Sequence, residues 1–382
     1  MVYGNRFVLK LFRRVETGVN PDLDLGRFLS EERDFGNIAP VAGALECRRR
    51  NGELSTLGVL HGFVPNEGVA WQYTLDTLGR YFEAVLTHRA KVPLPAALDT
   101  QLLPVVEDDV GREWIGLYFE EARLLGQRTG ELHIALASDT STPDLVPEPA
   151  SDFSRQAVYQ AMLSLANRAF PLLRQQLGQL SQEIRETARR ILELEEQVRD
   201  RLRRPRDRKI EAIHIRCHGD YHLGQVLYTG NDFVIIDFEG EPTSPLSVRR
   251  LKRSPLRDVA GMLRSFHYAS YAALLGQAPG VRPEDFATLE PWARFWYLAV
   301  SAAFLNGYLA VVGPTALLPR TPDELRTLLD AYLLEKAIYE VSYELTYRPP
   351  WVRIPLTGIL DVVASLSSAR ISTERAGTGS PM

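Results

Sequence analysis

The chain has 382 residues, 45% of them hydrophobic and 24% charged, enough apolar material for one large domain or two unequal ones. A formal net charge of −4 and an isoelectric point near 6.1 exclude an overall basic field suited to nucleic acid or an anionic membrane surface. Cys47 and Cys217 are the only cysteines, too few for a disulfide framework or a cysteine zinc site, and no apolar run approaches the roughly 18 residues of a membrane span, so a soluble cytoplasmic protein is expected.

In chain order, Val2-Tyr3 and the run Phe7 to Phe12 flank the turn dipeptide Gly4-Asn5, which predicts the tail of one strand turning into another. Asn20 as helix cap, Pro21 in the first turn and acidic Asp22 predict a short helix carrying Leu23, Phe28 and Leu29. Asn51-Gly52 joins a second hairpin, Ala44 to Arg50 with Leu57 to Val64. From about Trp71 the spacing turns helical: Trp71 to Arg89, Arg112 to Leu136, and Ser154 to Phe170 ahead of Pro171. The stretches near Lys91 to Asp109 and Ser138 to Pro149 are rich in proline and predict loops. Ile184 to Leu202 predicts one charged helix, with Glu186/Arg190 and Glu195/Arg199 at ion-pair spacing and a basic end that Pro205 breaks. The last residues, 371–382, are expected to be a disordered tail.

The stretch "HGDYHLGQ", His218 to Gln225, sits between the strand-like run Ile213 to Cys217 and a hairpin of Val226 to Thr229 and Phe233 to Phe238. It places Asp220, Gln225 and Asp237 at adjacent mouths of one small sheet. Three oxygen ligands or bases converge there.

His218, Asp220 and Gln225, followed by Ile236-Asp237-Phe238-Glu239, resemble the catalytic loop and metal-binding motif of protein-kinase-like phosphotransferases, with Gln replacing the usual Asn and Glu replacing a glycine. The wider motifs "CHGDYHLGQVL", "VIIDFEGEP", "SPLRDVAGMLRSFHYA" and "RPPWVRIPLTGI" resemble bacterial maltokinases, especially the kinase half of trehalose synthase–maltokinase fusions, from about Arg6 to Leu360. The resemblance implies an α+β two-lobe fold, with a partial small lobe over 1–69 and a helical lobe over 70–370. It implies ATP and Mg²⁺ as cofactors, maltose as acceptor, maltose 1-phosphate as product, and a trehalose synthase domain as partner. Asp220 would orient the sugar hydroxyl or accept its proton, Gln225 and Asp237 would hold magnesium, and Lys10 would contact the ATP phosphates. Asp24, or failing that Glu31, would pair with Lys10, and Phe63 and Val64 would form the hinge that meets adenine. Relative to the resemblance, the strands and phosphate-covering loop ahead of Lys10 are missing, and the Lys10 strand is expected to lack a neighbour.

Other readings accompany these. His218 and His222 suit loop bracing, as does Arg257-Asp258 from the following helix. Lys336, Tyr339, Glu340 and Tyr343 share one helix face, fit for hydrogen bonds and stacking on a sugar, or for tyrosines emerging from a core. An aminoglycoside-type or other sugar kinase, a non-catalytic kinase-like module, and a zinc hydrolase built on His218, Asp220 and His222 with His214 are the alternative functions.

Overall fold

The computed structural model describes residues 1–88 and 108–376. The connection expected near Lys91 to Asp109 lies outside the described residues except for Asp108 and Asp109, which begin a helix.

The first 62 residues build a small antiparallel sheet. Strand β1 (Val2–Tyr3), β2 (Phe7–Leu11), β3 (Val41–Arg48) and β4 (Leu54–Gly62) are arranged in the order β1-β2-β4-β3. The strand carrying Lys10 does have neighbours on both sides. Val2 pairs with Val8 and Tyr3 with Phe7 on one edge, while Lys10 lies opposite Val59 and Val8 opposite His61 on the other. Paired residues share a face, so Val8, Lys10, Phe12, Val59 and His61 all point to the side where helix α1 (Pro21–Arg27) packs. Helix α1 starts as its sequence predicts, with Asn20 accepting from the Asp22 amide and proline in the first turn. Leu23, Phe12 and Val59 form the small apolar core beneath it.

A second sheet, β5 (Gly68–Val69), β8 (Val226–Tyr228) and β9 (Phe233–Ile235), lies at the base of the helical lobe. A two-strand ribbon pairs β6 (Glu148–Pro149) with β7 (Ile213–His214). Around them pack α2 (Ala70–His88), α3 (Asp108–Ile115), α4 (Leu117–Leu136), α5 (Asp152–Gln176), α6 (Gln182–Glu193), α7 (Glu195–Asp207), α8 (Leu246–Arg249), α9 (Leu256–Ala272), α10 (Phe286–Val312), α11 (Pro322–Tyr347) and α12 (Arg353–Ala376).

Several helix boundaries differ from those the sequence predicts. Gly116 takes φ 68° and splits the expected Arg112 to Leu136 helix into α3 and α4. Leu194, at φ −91° and ψ 5°, splits the expected Ile184 to Leu202 helix in the same way. Pro171 and Pro205 do not end their helices. Each removes one amide, and the buried neighbours Phe170 and Leu173, or Arg201 and Leu202, hold the flanking turns. Helix α12 runs to Ala376, six residues into the expected tail, and 377–382 lie outside the described residues.

The helical core centres on α4 against α10. Their backbones touch because a methyl group on Gly126 would lie 2.0 Å from the Phe304 carbonyl oxygen, and one on Gly307 would lie 2.0 Å from the Arg123 carbonyl oxygen. Against the sequence expectation, one segment, Pro283–Val312, is long and apolar enough to cross a membrane; 78% of its apolar window is buried inside the protein. It contributes Trp296 and Tyr297 to the core.

Candidate active site

Helix α9 positions the loop from His218 to Gln225. Asp258, Gly261 and Ser265 lie on one face of α9, at spacings of three and four. The buried Asp258 carboxylate accepts from the His218 amide at 2.8 Å and the Gly219 amide at 2.9 Å. His133 Nε2 lies 3.3 Å from the same carboxylate, and His133 Nδ1 lies 3.0 Å from the Tyr308 hydroxyl. Burial alone would raise the Asp258 pKa, but His133, His218 and the Gly219 amide overcome it and hold the carboxyl below its usual range. Ser265 Oγ accepts from the Leu223 amide at 3.1 Å. Gly261 admits the loop itself, because a methyl group there would lie 2.5 Å from the Tyr221 carbonyl oxygen.

Within the loop, His218 has both ring nitrogens engaged. Nδ1 accepts from the Asp220 amide at 3.4 Å, so Nε2 carries the proton and donates to the Ile236 carbonyl at 2.9 Å. The ring packs on Tyr221 and Phe238. These contacts tie the Asp220 loop to the segment carrying Asp237. His222 Nδ1 accepts from the Gly224 amide at 3.0 Å, and its Nε2 stands 3.8 Å from Asp220 Oδ2.

Asp220 is mostly buried at the junction of two cavities. Its Oδ1 lies 3.4 Å from Lys336 Nζ. Desolvation would raise its pKa, but Lys336, His222 and His218 prevail and hold the carboxyl below its ordinary value. One cavity, of about 580 Å³, is lined by Trp71, Tyr268, Tyr339, Tyr343, Glu340 and Trp351 among others. The other, of about 320 Å³, includes Arg253, Arg257, Tyr332 and Glu335. Asp220, Glu241, Gly261, Lys336 and Tyr339 belong to the walls of both. The predicted face of Lys336, Tyr339, Glu340 and Tyr343 on α11 therefore lines the larger cavity, with the Tyr339 and Tyr343 rings 6.4 Å apart at 25°.

Most charges in this cavity are matched. Arg264 donates to Glu340 at 3.0 and 2.6 Å, and Arg348 and Tyr268 both donate to Glu344. Glu241 has no ion-pair partner among the described residues; its Oε1 accepts from the Thr243 hydroxyl at 2.9 Å.

The second cluster surrounds Lys10. Its ammonium contacts Asp22 at 3.2 Å, Glu239 at 3.2 Å, and Asp237. Burial would lower the Lys10 pKa, but Asp22, Asp237 and Glu239 together hold it above its ordinary value. The carboxylate on α1 that faces Lys10 is Asp22, and Asp24 faces elsewhere. Two residues along a helix is about 200° of rotation, so Asp24 turns to Arg216 at 3.2 Å and Arg250 at 3.4 Å. Glu31, the second choice, lies beyond α1 and is not among the ion-pair partners of Lys10. Asp22 is fully buried and also accepts from the Phe238 amide at 3.0 Å. Its pKa falls to about 2, because His61 and Lys10 outweigh desolvation.

Gln225 and Asp237 occupy adjacent strand ends. Val226 pairs with Ile235, and the Ile236 amide donates to the Gln225 carbonyl at 3.0 Å, so Asp237 sits one step past Gln225. Asp237 has φ 69°, a conformation that costs a non-glycine residue energy and collects at functional sites. Phe63 and Val64 link β4 to β5. The Phe63 amide donates to the Arg6 carbonyl and the Val64 carbonyl accepts from Asn66 Nδ2, both at 2.8 Å, so a purine edge would share or displace the Asn66 contact. Among the described residues, no three His, Cys, Asp or Glu side chains converge as a metal cluster, so the zinc-hydrolase alternative gains no site.

Sequence reasoning missed Asp22, His61 and Glu239 around Lys10, and Glu241, Arg264, Glu344 and Trp351 around the cavity. Asp22 reads as a first-turn acid, and Glu239 and Glu241 were visible in "IDFEGE" without a partner to give them a role.

Residues 77–240 match the Phosphotransferase enzyme family. The chain is 26% identical over 298 residues to a glucosamine kinase of Streptacidiphilus jiangxiensis, covering 76% of this chain and 60% of that relative. A glucosamine kinase of Mycolicibacterium smegmatis is 28% identical over 149 residues, covering 38% of this chain and 34% of the relative. The chain thus spans less than two thirds of the length of the curated relatives it matches. A solved glucosamine kinase in complex with glucosamine, ADP and inorganic phosphate superposes with a TM-score of 0.66 at 20% identity, covering 94% of this chain and 73% of that one. A second crystal form of glucosamine kinase gives a TM-score of 0.69, also at 20% identity, over 95% of this chain and 74% of that one. The chain therefore has the kinase-like α+β fold of the phosphotransferase enzyme family, with the family's sequence pattern matched over residues 77–240.

Proposed function

We propose that this protein transfers the terminal phosphoryl group of ATP to a sugar hydroxyl, with maltose as the acceptor and maltose 1-phosphate as the product. The observation that carries the reading is the placement of Asp220, ionised and mostly buried, in the wall of a cavity lined by Trp71, Tyr268, Tyr339, Tyr343 and Trp351. Phosphoryl transfer asks for alignment and charge stabilisation more than covalent help. A sugar lying across Tyr339 and Tyr343 directs one hydroxyl at Asp220, which orients it and takes its proton. Lys10 supplies the positive charge for the nucleotide phosphates.

Asp237 and Gln225 suit Mg²⁺ by chemistry: a carboxylate and an amide oxygen are both hard ligands, the two residues stand at the ends of adjacent strands, and this ion commonly takes its remaining ligands from water and phosphates. When bound, the ion offsets charge on the transferring group. ATP is supported by the kinase-like fold and by the resemblance of Lys10 and the Asp220 loop to phosphotransferases; maltose and a trehalose synthase partner rest on the maltokinase-like motifs.

One observation favours a second acceptor. Glu241 is a carboxylate on the cavity wall with no cationic partner among the described residues, and the curated relatives are glucosamine kinases. An amino-sugar ammonium would pair with it. Coupled measurement of ADP release with maltose, glucosamine and glucose separates the two. Maltose should give the highest kcat/KM, and kcat should fall by roughly 10²–10⁴ in Asp220→Asn. Turnover of glucosamine alone, lost in Glu241→Gln, would replace maltose with the amino sugar.

A further inference from the structure

His61 on β4 shares its sheet face with Lys10, two residue pairs away along the β2–β4 ladder. Its two ring nitrogens both meet acceptors. Nδ1 lies 3.3 Å from the Ala39 carbonyl oxygen, and Nε2 lies 3.5 Å from Asp22 Oδ2. A neutral imidazole would turn a lone pair toward one of these oxygens, whereas an imidazolium satisfies both. Asp22 in turn contacts Lys10, and Lys10 contacts Asp237 and Glu239. The order of contacts is thus His61, Asp22, Lys10, Asp237, running from the sheet into the cleft.

We propose that His61 is a positioning residue: as an imidazolium between Ala39 and Asp22, it fixes the carboxylate that aims Lys10 at the nucleotide. This inference rests on the kinase reading above. Three carboxylates, Asp22, Asp237 and Glu239, share the single Lys10 ammonium, which leaves the fully buried Asp22 undercompensated, and a second cation on its far side balances it. The charged groups facing this pair are Lys10 from β2, Asp22 from α1, and Asp237 and Glu239 from the segment after β9. Burial and Lys10 push the His61 pKa down, and the Asp22 and Ala39 contacts push it up; the net direction is up. The positive charge is present below the ordinary histidine value and is lost as pH rises through the raised one.

Two measurements on the full chain test this. The first follows the imidazole resonances of the seven histidines by NMR against pH, with His61 identified by its disappearance in His61→Gln. His61 should titrate above its ordinary value in the wild type and drop in Asp22→Asn. Titration below that value, or indifference to Asp22→Asn, overturns the pairing. The second is calorimetric titration with Mg·ADP across pH. Wild-type affinity should weaken as His61 deprotonates, while His61→Gln should bind about tenfold more weakly at low pH with that pH limb gone. A pH limb that survives His61→Gln overturns the positioning role. If the wild type binds no nucleotide at all, the kinase reading fails with it, and the His61–Asp22 pairing is decided by the NMR titration alone.

Discussion

Replacing Asp258 by asparagine removes one oxygen from a fully buried carboxylate while preserving shape. In the wild type, Oδ2 receives the His218 amide at 2.8 Å and faces His133 Nε2 at 3.3 Å, and Oδ1 receives the Gly219 amide at 2.9 Å. Asparagine keeps one acceptor and turns its NH₂ toward a donor on the other side. One charge-assisted hydrogen bond is lost and one buried amide is left facing another donor, together roughly 2–4 kcal/mol of stability. The two amides belong to the residues immediately preceding Asp220, so the loss should move the Asp220 carboxylate as well. Urea unfolding followed by circular dichroism should show a lower midpoint, and the coupled kinase assay should show a fall in kcat larger than any change in nucleotide KM. A variant with wild-type midpoint and wild-type kcat would refute the claim that α9 holds the Asp220 loop through this carboxylate.

Asp220→Asn should lower kcat by roughly 10²–10⁴ without moving the unfolding midpoint, as expected for a group that handles a proton. Gly261→Ala should cost about 1–3 kcal/mol in urea unfolding, because the added methyl meets a carbonyl oxygen that cannot withdraw. Acid stability should follow Asp22: with a folded pKa of about 2 against an ordinary 3.8, its contribution is complete above that ordinary value and disappears as pH falls toward 2, so Asp22→Asn should flatten the acid limb of the stability profile. Lys10→Ala should raise nucleotide KM and leave sugar KM unchanged in the same coupled assay.

The local signals in the sequence were strong where chemistry is local. Asn20 and Pro21 start α1, and the turn dipeptides at Gly4 and Asn51 join the strands they predict. The Asp220 loop and the Asp237 strand end were visible because the turn residues and the apolar runs fix their order. The identity of the carboxylate opposite Lys10 was not, because Asp22 and Asp24 both sit in the first turns of a short helix and only its rotation against the sheet chooses between them. The cavity pairs Arg264–Glu340 and Tyr268–Glu344 join residues 76 positions apart, a distance that no spacing rule spans. Gly116 and Leu194 illustrate a different limit: apolar periodicity runs through a break when both halves face the same core.

The central claim is that Gln225 and Asp237 hold a divalent ion beside Asp220, and Mn²⁺ substituted for Mg²⁺ reports that ion directly. Crystals grown with Mn²⁺, ADP and maltose should give an anomalous peak bounded by the Asp237 carboxylate and the Gln225 side-chain oxygen, with a sugar hydroxyl facing Asp220. A peak elsewhere, with those oxygens turned to separate surfaces, would contradict the account.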